Sequence, residues 1–127
     1  MQIAILGAGM VGRAMAIDLA AKYRVTSFDV SNHALQLLNR KNDAVKTVNA
    51  DLDDYAGYES MLQNFDFVIA AVPGFMGFRT LEAIIRAGKN VVDISFFPEN
   101  ALELDALAKE KNVTAIVDCG VAPGMSN

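Results

Sequence analysis

Gln2-Ile-Ala-Ile-Leu-Gly-Ala-Gly-Met-Val-Gly-Arg-Ala-Met-Ala16 opens the chain with a short apolar run, then glycines at 7, 9 and 12, then a helical apolar pattern. Three glycines in a loop are common. Their reading rests on context, namely a strand before, a helix after and an acidic residue further along, and all three are present. Gly7 permits a tight turn out of the strand, Gly9 leaves the backbone open to a diphosphate, and Gly12 with Ala16 lets helix and sheet pack closely. The N–H groups of Met10, Val11 and Gly12 would then point at the phosphates, where the helix dipole adds roughly 0.3 to 1 kcal/mol of attraction. An ordinary strand-turn-helix corner needs one or two of these glycines, not all three with the later acid. The stretch reads as a dinucleotide-binding fingerprint.

The acid is Asp29, which closes the strand-like run Arg24-Val-Thr-Ser-Phe-Asp29 about twenty residues beyond the loop, the spacing expected of a ribose ligand. Asp29, with Val30 beside it, is assigned to the adenosine ribose. A carboxylate accepts hydrogen bonds from both ribose hydroxyls, whereas a 2′-phosphate would meet it charge to charge, at a cost of roughly 4 kcal/mol near 4 Å and an effective dielectric of 20. NAD is therefore favoured over NADP. No arginine follows in Val30-Ser-Asn-His33, although Arg13, just past the glycine loop, is a candidate for a 2′-phosphate. The competing role for Asp29 is a helix N-cap, but Ser31 already offers that cap.

A chain of 127 residues forms one core and one globular unit, and a complete dehydrogenase usually needs more. It is 53% hydrophobic and 20% charged with a net charge of −4, a folded and acidic composition that disfavours nucleic acid as a partner. The single Cys119 forms no internal disulfide, no apolar run approaches a membrane span, and a core strand begins at the N-terminus. A reducing, cytoplasmic setting is expected. The only histidine, His33, supplies neither a metal set nor a catalytic triad and is given no role.

Apolar strand-like runs alternate with helical patterns along the whole length, without repeats or low-complexity linkers. Strands are expected near residues 2–6, 24–30, 44–48, 66–72, 90–95 and 113–118, apolar on both faces as buried parallel strands require. Helices are expected from about Met10 to Lys22, from Asn32 to Arg40 with Ala34, Leu37 and Leu38 inward, and around Tyr58, Met61, Leu62 and Phe65. Two more are expected, near Gly77 to Ala87 with Gly88 as C-terminal stop, and from around Pro98 to Asn112. Such βα alternation with right-handed crossovers gives an α/β, Rossmann-type doubly wound parallel sheet, six strands in the order 3-2-1-4-5-6 with helices on both faces. Ligands bind at the carboxyl edge of such a sheet. After the third strand, Asp51 or Leu52 would lie against the adenine, although an acidic cluster before a helix more often caps it. After the fourth, Ala71, Val72, Pro73 and Gly74 would pass the nicotinamide ribose, and Pro73-Gly74 also reads as a turn.

Val91-Val-Asp-Ile-Ser-Phe-Phe-Pro-Glu99 and Val117-Asp-Cys-Gly-Val-Ala-Pro-Gly-Met-Ser-Asn127, with the glycine loop and the Ala-Val-Pro-Gly segment ending at Gly74, resemble the saccharopine dehydrogenase and lysine dehydrogenase family. The resemblance covers essentially the whole chain. It implies an N-terminal NAD(P)-binding domain, residues 1–127, of an enzyme acting at the amine carbon of a lysine-type amino acid by hydride transfer to or from nicotinamide. It also implies a second domain, absent from this chain, that holds most of the substrate pocket and the contact of a homodimer. Spermidine-type synthases share the fold, so the resemblance does not choose the substrate. Phe75, Met76, Phe78, Phe96 and Phe97 are candidates for an apolar rim where that second domain docks, or equally for local core.

The remaining chemistry is sparse. Cys119 has no histidine near it in sequence and reads as a buried small residue rather than a thiolate nucleophile. Asp93 and Asp118 follow apolar strands at the edge where sites form, and either orients substrate or cofactor or caps the next turn. No general acid or base emerges. Two functions remain: the NAD domain of an amino acid dehydrogenase, or a free-standing nucleotide sensor like the ligand-gating domains of potassium transport systems.

Overall fold

In a computed structural model the described residues are 1–95 and 101–117, and the expectations for Phe96, Phe97, Pro98, Asp118, Cys119 and the 122–127 tail lie outside them. Five parallel pairings build one six-stranded sheet in the order 3-2-1-4-5-6. Its strands are β1 (Gln2–Leu6), β2 (Arg24–Asp29), β3 (Lys46–Asn49), β4 (Phe67–Ala70), β5 (Val91–Asp93) and β6 (Ala115–Val117). The helices are α1 (Met10–Leu19), α2 (Asn32–Lys41), α3 (Tyr58–Leu62), α4 (Gly74–Arg86) and α5 (Asp105–Glu110).

The order reverses between β1 and β4, so the helices divide between two faces. On one, Ala16 of α1 and Leu38 of α2 pack on Ile3, Ile5, Val25 and Ile69. On the other, Tyr58 and Leu62 of α3 and Leu81, Ile84 and Ile85 of α4 pack on Ala4, Leu6, Phe28, Val68 and Val91. Alternate residues of one strand thus serve opposite layers, and β1 and β4 are buried on both sides.

The departures from the sequence reading are at edges and helix ends. The edge strands are not apolar on both faces: β3 reads Lys-Thr-Val-Asn with no buried residue, and Ile116 of β6 is exposed. A charged, short edge resists pairing with another chain. Helix α2 buries Leu35 and Leu38, with Ala34 and Leu37 only half-buried. Helix α4 starts at Gly74, three residues before Gly77, because Pro73 stands outside the helix in extended conformation and the glycine behind it takes helical geometry. Its end follows expectation, since Gly88 adopts a φ of 77°. Helix α5 is shortened to Asp105–Glu110 behind a 3-10 turn over Ala101–Leu104, and Asn112, at a φ of 55°, turns the chain toward β6.

Candidate functional site

The glycine loop sits at the carboxyl end of β1, where the strand order reverses. Gly7 has a φ of 109°, and a Cβ built on it would lie 2.3 Å from the Ala71 carbonyl oxygen. A Cβ on Gly12 would lie 2.2 Å from the Gly7 carbonyl oxygen. Both positions therefore exclude a side chain on packing grounds alone, and they hold the loop against the segment that leaves β4. Gly9 differs in kind. Its φ is −69°, which any residue adopts, and a Cβ there would meet nothing within 4 Å. Nothing in the protein's own packing requires glycine at position 9, and the space beside its backbone is open.

Helix α1 starts with Gly9 as N-cap, with no side-chain cap and no acid in its first turn. Arg13 donates its backbone N–H to the Gly9 carbonyl at 2.8 Å, the bond that opens the helical ladder. The amides of Met10, Val11 and Gly12, ahead of it, belong to the first turn, at the positive end of the helix dipole. The side chains of Met10 and Val11 are 80% and 59% exposed. Anion binding by main-chain amides is the chemistry this terminus offers.

Asp29, half-buried at the end of β2, comes to the same loop. Its Oδ2 accepts the Ala8 N–H at 2.7 Å and its Oδ1 accepts the Ser31 N–H at 2.8 Å. Each carboxylate oxygen has a second lone pair, so the group can hold the loop and still accept from a sugar hydroxyl. Ser31 Oγ accepts the Ala34 N–H at 3.1 Å, so Ser31, not Asp29, caps α2. Val30 is exposed beside Asp29, its carbonyl accepting from Asn49 Nδ2 at 2.9 Å. The Arg13 guanidinium turns back to the Ala8 carbonyl at 3.0 Å, an attachment the sequence did not disclose. Arg13 and Asp29 thus grip opposite ends of one residue.

On the far side of the reversal, Ala71 is half-buried, Val72 buried and Pro73 exposed, and Gly74 opens α4. The Ala71 N–H donates to the Leu6 carbonyl at 2.8 Å, so this segment and the glycine loop lie side by side at the carboxyl edge of the sheet. The loop after β3 is arranged otherwise. Asp51 accepts the Asp53 N–H at 3.0 Å and closes a local turn, and no carboxylate caps the 3-10 turn (Tyr55–Gly57) or α3 that follow. Leu52 is 6% exposed, part of the core under Tyr58, whose hydroxyl donates to the Leu52 carbonyl at 2.8 Å. Burial pushes the Tyr58 hydroxyl up to about 12.

Ser95, quoted in the sequence reading only as part of the family resemblance, has a role at the carboxyl edge of the sheet. Its Oγ accepts the Val72 N–H at 3.0 Å and lies 3.5 Å from the Ala70 carbonyl, while its own N–H donates to Asp93 Oδ1 at 2.7 Å. An Asp-x-Ser pattern at a strand end is the local signal for such a turn. Asp93 is fully buried, and burial pushes its carboxyl up to about 7 against the pull of the Ser95 N–H. Of the proposed rim, Phe75 is 82% exposed, whereas Met76 and Phe78 pack against the core. Among the described residues no cluster of three or more metal-ligating side chains occurs, and no helix is long and apolar enough to cross a membrane.

A parallel sheet with its glycine loop, helix terminus and acid at the strand-order reversal defines a pyridine-nucleotide-binding module of the oxidoreductase type. The chain belongs to the saccharopine dehydrogenase NADP binding domain family, whose model matches residues 3–116. A curated saccharopine dehydrogenase [NADP(+), L-glutamate-forming] from Pyricularia oryzae is 28% identical over 80 residues, which are 63% of this chain and 18% of that protein. The apo saccharopine dehydrogenase (L-Glu forming) of Saccharomyces cerevisiae superposes with a TM-score of 0.81 at 24% identity, over 97% of this chain and 28% of that one. The scyllo-inositol dehydrogenase of Lactobacillus casei, solved with NAD(H) and scyllo-inositol, gives a TM-score of 0.70 at 23% identity, over 92% of this chain and 35% of that one. At these identities the solved structures share the fold.

Proposed function

We propose that this chain is the dinucleotide-binding module of an amino acid oxidoreductase of the saccharopine dehydrogenase type, acting at a CH–NH group. The observation that carries the reading is Gly9, a glycine with ordinary dihedral angles whose missing side chain leaves open space beside the start of α1. In this reading the amides of Met10, Val11 and Gly12 hold the diphosphate, Asp29 and Val30 take the adenosine ribose, and Asp51 and Leu52 border the adenine. Ala71, Val72, Pro73 and Gly74 line the nicotinamide ribose. The bound nicotinamide supplies hydride chemistry; the chain's own residues bind and orient it. The chain spans 18% of the curated relative and 28% of the yeast structure, which supports a further domain carrying the amino acid site. Its acidic, cysteine-poor composition suits the cytoplasm.

NAD(H) is the proposed cofactor in preference to NADP(H). The family's model is named for NADP, but here the ribose position carries the Asp29 carboxylate, which repels a 2′-phosphate, and Arg13 already bonds the Ala8 carbonyl. Calorimetric titration tests this: NADH is expected to bind at least tenfold tighter than NADPH, and Asp29→Asn to narrow the gap. Tighter binding of NADPH would reverse the assignment and give Arg13 the phosphate.

A further inference from the structure

We infer that Asp93 and Ser95 are positioning residues that set the nicotinamide half of the cofactor site through the backbone of Val72. The inference rests on the nucleotide-binding reading above and extends it to a pair of side chains at the carboxyl end of β5.

Two bonds connect the ends of β4 and β5, and a third closes the turn after β5. Ile94 donates its N–H to the Ala70 carbonyl at 2.9 Å, Ser95 Oγ accepts the Val72 N–H at 3.0 Å, and Asp93 Oδ1 accepts the Ser95 N–H at 2.7 Å. The last two involve side chains with almost no exposure, 4% for Ser95 and none for Asp93. Val72 has left β4 and no longer donates to a neighbouring strand, so the serine hydroxyl stands in for the missing ladder partner. The aspartate fixes the turn that presents that hydroxyl. Val72 is anchored from below while Ala71, its neighbour, lies against Gly7 from the other side. Ser95 is the side chain that holds the Val72 end of this segment.

Asp93 Oδ2 is buried without a hydrogen-bond partner among the described residues, an arrangement that costs stability unless the group is neutral or has a use. Retaining a carboxyl here is economical if the turn it closes must be rigid, since an acceptor from Ser95 needs only one of its oxygens. The consequence is asymmetric. Loss of the clasp frees Val72 and Pro73, which face the nicotinamide half, and leaves the glycine loop and Asp29, which hold the ADP half.

The experiment is a paired titration of the 127-residue chain with NADH and with ADP, for wild type, Ser95→Ala, Asp93→Ala and Asp93→Asn, each checked for folding by thermal melting. Ser95→Ala is expected to weaken NADH about tenfold and leave ADP within twofold. Asp93→Ala should follow it, and Asp93→Asn, which keeps an oxygen toward the Ser95 N–H, should hold NADH affinity near wild type. A purely structural role would lower both ligands together. If wild type binds both ligands and the alanine variants weaken both equally, or neither, the clasp is refuted while the nucleotide site stands. If wild type binds neither, the nucleotide reading falls and takes the clasp with it. Should Ser95→Ala not fold, the Asp93 pair decides alone.

Discussion

Replacing Gly9 with alanine separates binding from folding. The φ of −69° and ψ of −171° at Gly9 suit alanine, and the new methyl would meet no protein atom within 4 Å. Removing glycine's extra freedom from the unfolded chain stabilises by about 0.4 to 1 kcal/mol, and placing alanine at an N-cap costs a comparable amount. The two effects nearly cancel. Unfolding free energy should therefore move by no more than about 1 kcal/mol, and the melting temperature by about 4 °C or less. Binding should not survive so well, because the methyl projects into the space assigned to the diphosphate and holds its oxygens away from the α1 amides. Hydrogen bonds to a charged group are worth about 1.5 to 3 kcal/mol each, so losing or lengthening one predicts at least a tenfold weaker Kd. Gly12→Ala is the control. Its methyl would collide with the Gly7 carbonyl, which costs roughly 1 to 3 kcal/mol or more and lowers stability and binding together. Thermal melts paired with NADH titration read both quantities. A Gly9→Ala protein that melts normally and binds NADH as tightly as wild type would refute the assignment of that space.

Asp29→Ala should destabilise the chain even without nucleotide, by about 1 to 3 kcal/mol in urea unfolding after allowance for its partial exposure, because the Ala8 and Ser31 amides lose their acceptor. An unchanged midpoint would show that Asp29 serves ligand alone. Asp93 favours its neutral form in the folded chain, moving from 3.8 to about 7. Its contribution is whole below pH 4 and is lost as pH rises through 7, with an upper bound of about 4 kcal/mol, so Asp93→Asn should flatten stability over that range; parallel pH profiles for the two proteins would contradict this. Tyr58→Phe removes the bond to the Leu52 carbonyl and should cost about 1 to 2 kcal/mol. Wild type, but not this variant, should also lose stability as pH rises from 10 through 12, where the buried phenol must ionise. Identical alkaline unfolding of the two would reject that cause.

The strands, their order and the glycine loop were legible because each rests on a local pattern: apolar runs of strand length, glycines at fixed spacing, an acid at the end of β2. What escaped depends on contacts between distant residues. Nothing in the Asp29 segment announces that its carboxylate will accept the Ala8 N–H, 21 residues earlier, or that Arg13 will return to the carbonyl of the same residue. The role of Ser95 was not legible for the same reason, since its partner Val72 lies 23 residues away. The side chain of Leu52 packs into the Tyr58 cluster, a tertiary preference that its place after β3 does not reveal. Helix α4 began early because glycine at position 74 masks helical intent in a sequence reading, while packing of Gly77, Thr80 and Leu81 settles it in the fold.

The central claim is that main-chain amides at the start of α1 hold a diphosphate. Titration of the isotope-labelled chain with ADP, followed by amide chemical shifts, tests it most directly. The largest shifts are expected at Gly9, Met10, Val11 and Gly12, with smaller ones at Asp29 and Val30, and adenosine alone should leave the first group nearly unmoved. Shifts of equal size with adenosine, or shifts concentrated away from the carboxyl edge of the sheet, would contradict the account.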